Sequence, residues 1–484
     1  MAESVRGKIK KGVFWNGLQN ILLKGVGFVI GIILARLLNP SDYGLIGMLS
    51  IFLALSSTLT DAGMSNALVQ RHDCTDLDYS TVFVTNMVMS VLMYVALFFS
   101  APWIANFYHQ PILCSLTRVV GLGIILSAVN TVHRAQLNIA VDFKSQAKIN
   151  VESSIISGII GITLAYCGFG VWSLVIQGLA NTVVAMFLFP LFTKWKPSIR
   201  FSRESFSHLW SYGSKLVVAG VGSTILNNIQ NIAIGKVYSS AELGFYTKGQ
   251  STPQMLSDTL YSVLGNVSFP VMSEIKDDKG HLVKVYQKSL FITAMIVLPM
   301  MILLALLSRP LVIIMFTEKW LPCVVFMQWF CLARMFTPLS SLNISILNAS
   351  GHSGTFMWMD FSKYPLIILI LAITIPLGPK AMSIGVFIDT FICFFINAYF
   401  PGKYFGYGAI RQIKDWRYII LSVAIMSVVV IGLIHIIGNV WLQVIVCGIL
   451  GLGVYFACCL LFKIIDRKKV FEIINSSISH KFKK

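Results

Sequence analysis

Nine ionisable side chains stand where the sequence is otherwise almost unbroken apolar: Lys24, Arg118, Lys215, Lys248, Arg334 and Lys363 as bases, Asp258, Asp360 and Asp389 as acids. A base at the centre of a membrane helix costs about 2.5–3.5 kcal/mol if it faces lipid, so three near mid-membrane would cost on the order of 8–10 kcal/mol. These groups must therefore meet water, protein or an anion. Lys and Arg neutralise phosphate as a point charge or a fork, and amides hydrogen-bond sugar hydroxyls. On the first apolar run Asn16, Asn20, Lys24, Gly27 and Gly31 fall within an arc of about 80° at 3.6 residues per turn. The seventh run repeats the device with Ser223, Asn227, Gln230 and Asn231, and the eighth carries Lys248 and Asp258.

These positions are expected to line a hydrated path: Lys24, Lys248 and Arg334 offer charge to an anion, and Asn16, Asn20, Asn227 and Asn231 offer amides to hydroxyl groups. The alternative for the first run is a small-residue packing seam at Gly27 and Gly31 with Lys24 snorkelling. Asp360 and Lys363, three apart, read as an internal pair. Lys215 reads as interfacial, and Arg118 lies close enough to a span end to snorkel. Asp61, at the end of the second run, together with Asp258 and Asp389, is a candidate for coupling or gating. No catalytic residues, metal ligands or cofactor are expected. The nine cysteines form no CxxC pair and read as small packing residues, and the eight histidines form no HExxH or cluster.

The elements that position these residues are helices. The chain of 484 residues is 56% hydrophobic and 12% charged, the composition of an all-α membrane protein. Runs of roughly 20 apolar residues, each long enough to span a bilayer, give about fourteen spans: 13–38, 43–64, 80–105, 112–133, 147–167, 171–193, 209–238, 243–267, 289–308, 323–349, 355–377, 381–401, 417–437 and 441–463. The first is too long for a signal-peptide core and has no small-x-small cleavage pattern after it, so it is expected to be retained. Trp103, Trp172, Trp210, Trp320, Trp416 and Trp441 fall near span ends, where an aromatic belt sits.

The formal net charge of +18 is orientation rather than nucleic-acid affinity. Bases crowd into alternate connections, from the Arg6–Lys11 segment to the Lys463–Lys484 tail, against three on the other side (Arg309, Lys319 and Lys380). That places both termini in the cytoplasm.

The helix exit "ILARLLNPSDYG" (33–44) returns without a gap as "AIGKVYSSAELG" (233–244), with Arg36 matched by Lys236 and Gly44 by Gly244. Six spans separate the copies, so both run the same way and form a parallel repeat about an axis along the membrane normal. The expected organisation is an N-lobe of six spans (1–193), a cytoplasmic linker (194–208), a C-lobe of six (209–401), and two further spans with a basic tail (402–484). Substrate sites of such transporters lie at the repeat interface.

The segments "DFKSQAKINVESSIISGIIGITLAYCGFGVWSLVIQ" (142–177) and "FPVMSEIKDDKGHLVKVYQKSL" (269–290), continuing through Pro299 to "MFTEKW" (315–320), resemble the Wzx-type polysaccharide flippases of the multidrug/oligosaccharidyl-lipid/polysaccharide exporter superfamily. The resemblance implies translocation of undecaprenyl-diphosphate-linked oligosaccharide units, for O-antigen, capsule or exopolysaccharide, across the bacterial inner membrane. It implies a monomer that meets the lipid-linked oligosaccharide, membrane lipids and other polysaccharide-assembly proteins. Basic residues of the first and eighth spans line the central cavity of related flippases, which Lys24 and Lys248 match by helix order. A lipid II flippase moves a similar lipid diphosphate and stands as the near alternative. A cation-coupled drug exporter of the same superfamily would carry an acid in the first or seventh span, where this chain has amides and lysines. A membrane polysaccharide polymerase would need convergent catalytic groups and a sizeable outer loop, and the 309–322 loop has neither paired carboxylates nor a nucleophile with its base.

Overall fold

A computed structural model describes residues 23–61, 63–70 and 74–464. Asn16 and Asn20 lie outside the described residues. Every regular element among them is helical, and the chain divides into two compact units, Met1–Thr247 and Lys248–Lys484.

In the first unit, α1 (23–37) is followed by α2 (Pro40–Asp61), the short α3 (Met64–Gln70), α4 (Asp76–Tyr108), α5 (Ile112–Ile139), α6 (Phe143–Tyr166), α7 (Val171–Phe192), α8 (Arg203–Val237) and the start of α9 (Ser240–Glu274). The second unit holds the rest of α9, then α10 (Lys279–Leu306), α11 (Ser308–Phe316), α12 (Cys323–Arg334), α13 (Phe336–Ala349), α14 (Ser353–Thr374), α15 (Pro379–Phe405), α16 (Ala409–Asp415), α17 (Arg417–Ile436) and α18 (Val440–Leu461).

Among the described residues eleven helical stretches are long and apolar enough to cross a membrane, α12 and α13 counting as one. The 35-residue α8 and α9 are not among them. At 1.5 Å per residue each is about 52 Å long, well beyond a ~30 Å hydrocarbon core. With α1, these make the fourteen positions read from the sequence. Several helices begin before their apolar run because a polar residue caps them there. Thr75 and Asp78 form a capping box on α4, Ser202 caps α8 and Asp278 caps α10. The segment expected as an outer loop at 309–322 is mostly α11 and a 3-10 turn at Glu318–Trp320.

At two of the prolines within these helices, Pro338 and Pro299, the backbone carbonyl left open is closed from another helix. Pro338 has no N–H for the carbonyl of Arg334, four residues back, and the buried Ser257 hydroxyl donates to that carbonyl at 3.0 Å. Pro299 leaves the carbonyl of Met295, to which the Tyr455 hydroxyl of α18 donates at 2.7 Å. An open carbonyl in hydrocarbon costs several kcal/mol, so such closures are what make proline tolerable there.

The core of the second unit joins α10, α13, α15 and α17 through Leu290, Ala294, Leu342, Phe394 and Met426. Within it lies a buried polar knot. Tyr286 donates its hydroxyl to Asn343, and Gln412 Nε2 donates to Asn343 Oδ1 at 3.0 Å, Tyr286 Oη at 3.1 Å and the Tyr407 carbonyl at 3.1 Å. Trp320 and Trp416, expected in an aromatic belt, are 0% and 2% exposed. Both pack inward: the Trp320 ring lies 6.2 Å from that of Phe316 on α11, and the Trp416 ring 5.8 Å from that of Phe394 on α15. Trp103 and Trp441 remain exposed at helix ends.

Candidate functional site

The repeated helix exits meet inside the first unit. A Cβ on Gly44 would stand 1.7 Å from the carbonyl oxygen of Ser240, and one on Gly244 would stand 1.9 Å from that of Pro40. The contact is reciprocal, residue 40 to 244 and 240 to 44, as expected where equivalent elements meet across a pseudo-twofold axis. Only glycine lets two backbones approach this closely. The two turns are closed between equivalent positions by opposite halves of a capping box: the Asn39 N–H donates to Asp42 Oδ2 at 2.9 Å, and the Glu242 N–H to Ser239 Oγ at 3.1 Å. Gly168 and Gly170, both at positive φ (84° and 55°), bend the α6–α7 turn beside Asp42. Lys236 donates from Nζ to the Phe107 carbonyl at 2.6 Å and lies 4.8 Å from that residue's ring centroid.

Along α8 the amides divide into two kinds. Asn227 and Ser223 are exposed, and Asn231 is half-buried. Asn228 instead faces α2, where it accepts from Ser50 Oγ at 3.3 Å, and Gln230 accepts from the buried Tyr246 hydroxyl at 2.7 Å. On α1, Lys24 is half-buried beside Gly25 and Gly27, around whose Cβ positions nothing lies within 4 Å. Asp61 accepts from the Ser65 hydroxyl at the far end of α2, and Arg118 stacks over Phe98 at 4.4 Å. The side chain of Lys215 lies outside the described residues.

In the second unit Lys248 stands on α9, and Arg334, the last residue of α12, reaches the same helix. The Lys248 ammonium sits 4.4 Å from the Phe316 ring centroid and 5.9 Å from that of Trp320. Such rings hold a desolvated cation by their quadrupoles. About 9 Å further along the helix at 1.5 Å per residue, Gln254 accepts from Arg334 Nη2 at a long 3.5 Å. Asp258 is exposed one residue past Ser257. Asp360 and Lys363 form the internal pair read from their spacing, at 2.6 Å. Asp389 is half-buried on α15 and accepts from Cys393 Sγ at 3.7 Å.

Sequence reasoning found Lys248 and Arg334 but not the groups that hold them. Phe316, Trp320, Gln254 and Ser257 are distant in sequence, and only the four-residue step from Arg334 to Pro338 hinted at an open carbonyl. The reciprocal role of Gly44 and Gly244 was likewise hidden, although their equivalence was not.

Comparison with known proteins fits this architecture. The chain is 23% identical over 400 residues to the lipopolysaccharide biosynthesis protein WzxC of Escherichia coli K12, covering 81% of this chain and 80% of that one. It is 24% identical over 361 residues to the succinoglycan biosynthesis transport protein ExoT of Rhizobium meliloti, covering 74% and 73%. Among solved structures, the lipid II flippase MurJ in an inward closed conformation superposes with a TM-score of 0.72 at 17% identity, over 92% of this chain and 98% of that one. The polysaccharide biosynthesis protein family matches residues 33–325, more than half of this multi-pass membrane chain, and the chain belongs to that family.

Proposed function

We propose that this protein flips undecaprenyl-diphosphate-linked oligosaccharide repeat units across the bacterial inner membrane by alternating access, without covalent chemistry. The observation that carries the reading is the polar pair α8 and α9. These are two 35-residue helices of a membrane fold that leave Ser223, Asn227 and Asp258 exposed. Side chains of this kind at membrane depth require a hydrated path. Membership of the polysaccharide biosynthesis family supports a sugar-bearing substrate over a drug.

Lys24, Lys248 and Arg334 neutralise the diphosphate, while Asn16, Asn20, Asn227 and Asn231 meet the sugars. Lys248 leaves its aromatic seat on Phe316 to do so. Asp61, Asp258 and Asp389 serve coupling or gating, and the polyprenyl tail stays in lipid. Both termini lie in the cytoplasm, which puts the Gly44–Ser240 contact at the outer surface as the closed outer gate. The protein acts as a monomer beside other assembly proteins. The test is complementation of a flippase-deficient strain at matched membrane levels. Lys24→Gln and Lys248→Gln are expected to abolish polysaccharide export and the Arg variants to restore it. Normal export by both Gln variants sinks the assignment.

A further inference from the structure

Where α10, the turn between α15 and α16, the end of α16 and the start of α17 come together, the second unit forms an open cavity of about 510 Å³. Its wall carries Lys284, Lys288, Lys414 and Arg417, with the rings of Phe291 and Tyr418. Among the described residues none of these four bases is in an ion pair. The one acid of the wall, Asp415, has an oxygen engaged by the Tyr407 hydroxyl at 2.7 Å. Tyr407 is fixed in turn by Gln412, which donates to its carbonyl at 3.1 Å. Burial first, and then the hydrogen bond to Asp415, push the Tyr407 phenol up, so it keeps its proton and keeps donating. The buried knot of Tyr286, Asn343 and Gln412 thus holds Tyr407, and through it Asp415, in the wall that carries the four bases.

An apolar wall adjoins the charges. Tyr418 stacks on Phe462 at 5.7 Å between centroids, and Ile420, Leu421 and Leu461 of α17 and α18 are exposed beside it. Cation below and apolar surface above is the pattern of an amphiphile's site rather than that of a free anion. Anionic headgroups of the cytoplasmic leaflet are drawn to basic pockets of this kind. We propose that this cavity is a headgroup site for an anionic, phosphate-bearing lipid of the inner leaflet. Lys284, Lys288, Lys414 and Arg417 hold the phosphate, and the acyl chains lie along α17. The proposal rests on the orientation given above, but not on the identity of the transported molecule.

The test uses the full-length protein in neutral detergent, titrated with dioctanoyl phosphatidylglycerol and read by native mass spectrometry. Dioctanoyl phosphatidylcholine and inorganic pyrophosphate are the comparison probes. Each base removed is expected to weaken phosphatidylglycerol roughly fivefold, the equivalent of ~1 kcal/mol per charge. The Lys284→Gln/Lys414→Gln variant therefore binds about 25-fold more weakly, and the Lys→Arg pair at the same positions binds as the wild type does. Lys276→Gln/Lys279→Gln, exposed bases of the turn before α10 and of its first residue, both outside the cavity wall, is expected to change affinity less than twofold. Equal losses in the two Gln variants would show a diffuse surface field and overturn the site. Pyrophosphate competing at the same concentration as the lipid would assign the cavity to a free phosphate, and phosphatidylcholine binding equally well would remove the role of charge; either overturns the proposal.

Discussion

Substituting Gly44 by Ala adds one methyl group where there is no room for it. The new Cβ would stand 1.7 Å from the carbonyl oxygen of Ser240. Ordinary carbon–oxygen contacts begin at about 3.3 Å, so the two turns must part by roughly 1.6 Å. The partner of the collision is backbone, and no rotamer change relieves it. Overpacking of this kind costs about 1–3 kcal/mol, a factor of roughly 5–140 in the population of the closed contact at 1.4 kcal/mol per decade. The assay places a reporter cysteine at Met48, 1% exposed one turn inside the contact, in a chain whose nine native cysteines are replaced. Labelling of intact cells by a membrane-impermeant maleimide should be slow in that background and at least fivefold faster with Gly44→Ala. Gly222→Ala is the control, because nothing lies within 4 Å of its Cβ position. Equal labelling in the two variants would refute the claim that glycine seals this end.

Two further expectations concern what holds the helices together. Gln412→Leu should lower thermal stability by about 1–3 kcal/mol, read as a lowered Tm in detergent, because the Tyr407 carbonyl loses its donor. Ser257→Ala should cost a similar amount by opening the Arg334 carbonyl, whereas adding Pro338→Ala returns an N–H at the residue four positions on. A double-mutant cycle should therefore show a coupling of 0.5 kcal/mol or more, and additive losses would contradict the closure.

The membrane helices were legible because twenty apolar residues in a row have few other uses, and the cost of burying charge pointed to Lys248 and Arg334. Their ends were not, since Thr75, Ser202 and Asp278 start helices in polar sequence that a hydropathy window passes over. The nine-residue α11 is too short for such a window. Trp320 and Trp416 were misplaced for a related reason: position near a span end suggests an interface, but packing against Phe316 and Phe394 makes it core. The match of Gly44 to Gly244 was visible as a repeat, yet its physical content, two backbones in contact, exists only in three dimensions. The same holds for Lys248, whose charge is plain in the sequence and whose aromatic seat on Phe316 and Trp320 is assembled from residues about seventy positions away.

Translocation itself tests the central claim most directly. The purified protein would be reconstituted in proteoliposomes carrying a fluorescent undecaprenyl-diphosphate oligosaccharide in the inner leaflet, with arrival outside read by cleavage with an added, impermeant glycosidase. The account predicts that the wild type exposes the glycan well above protein-free vesicles and that Lys24→Gln/Lys248→Gln falls to the protein-free level. A wild-type protein that leaves the glycan protected, or a double variant that exposes it at the wild-type rate, would contradict it.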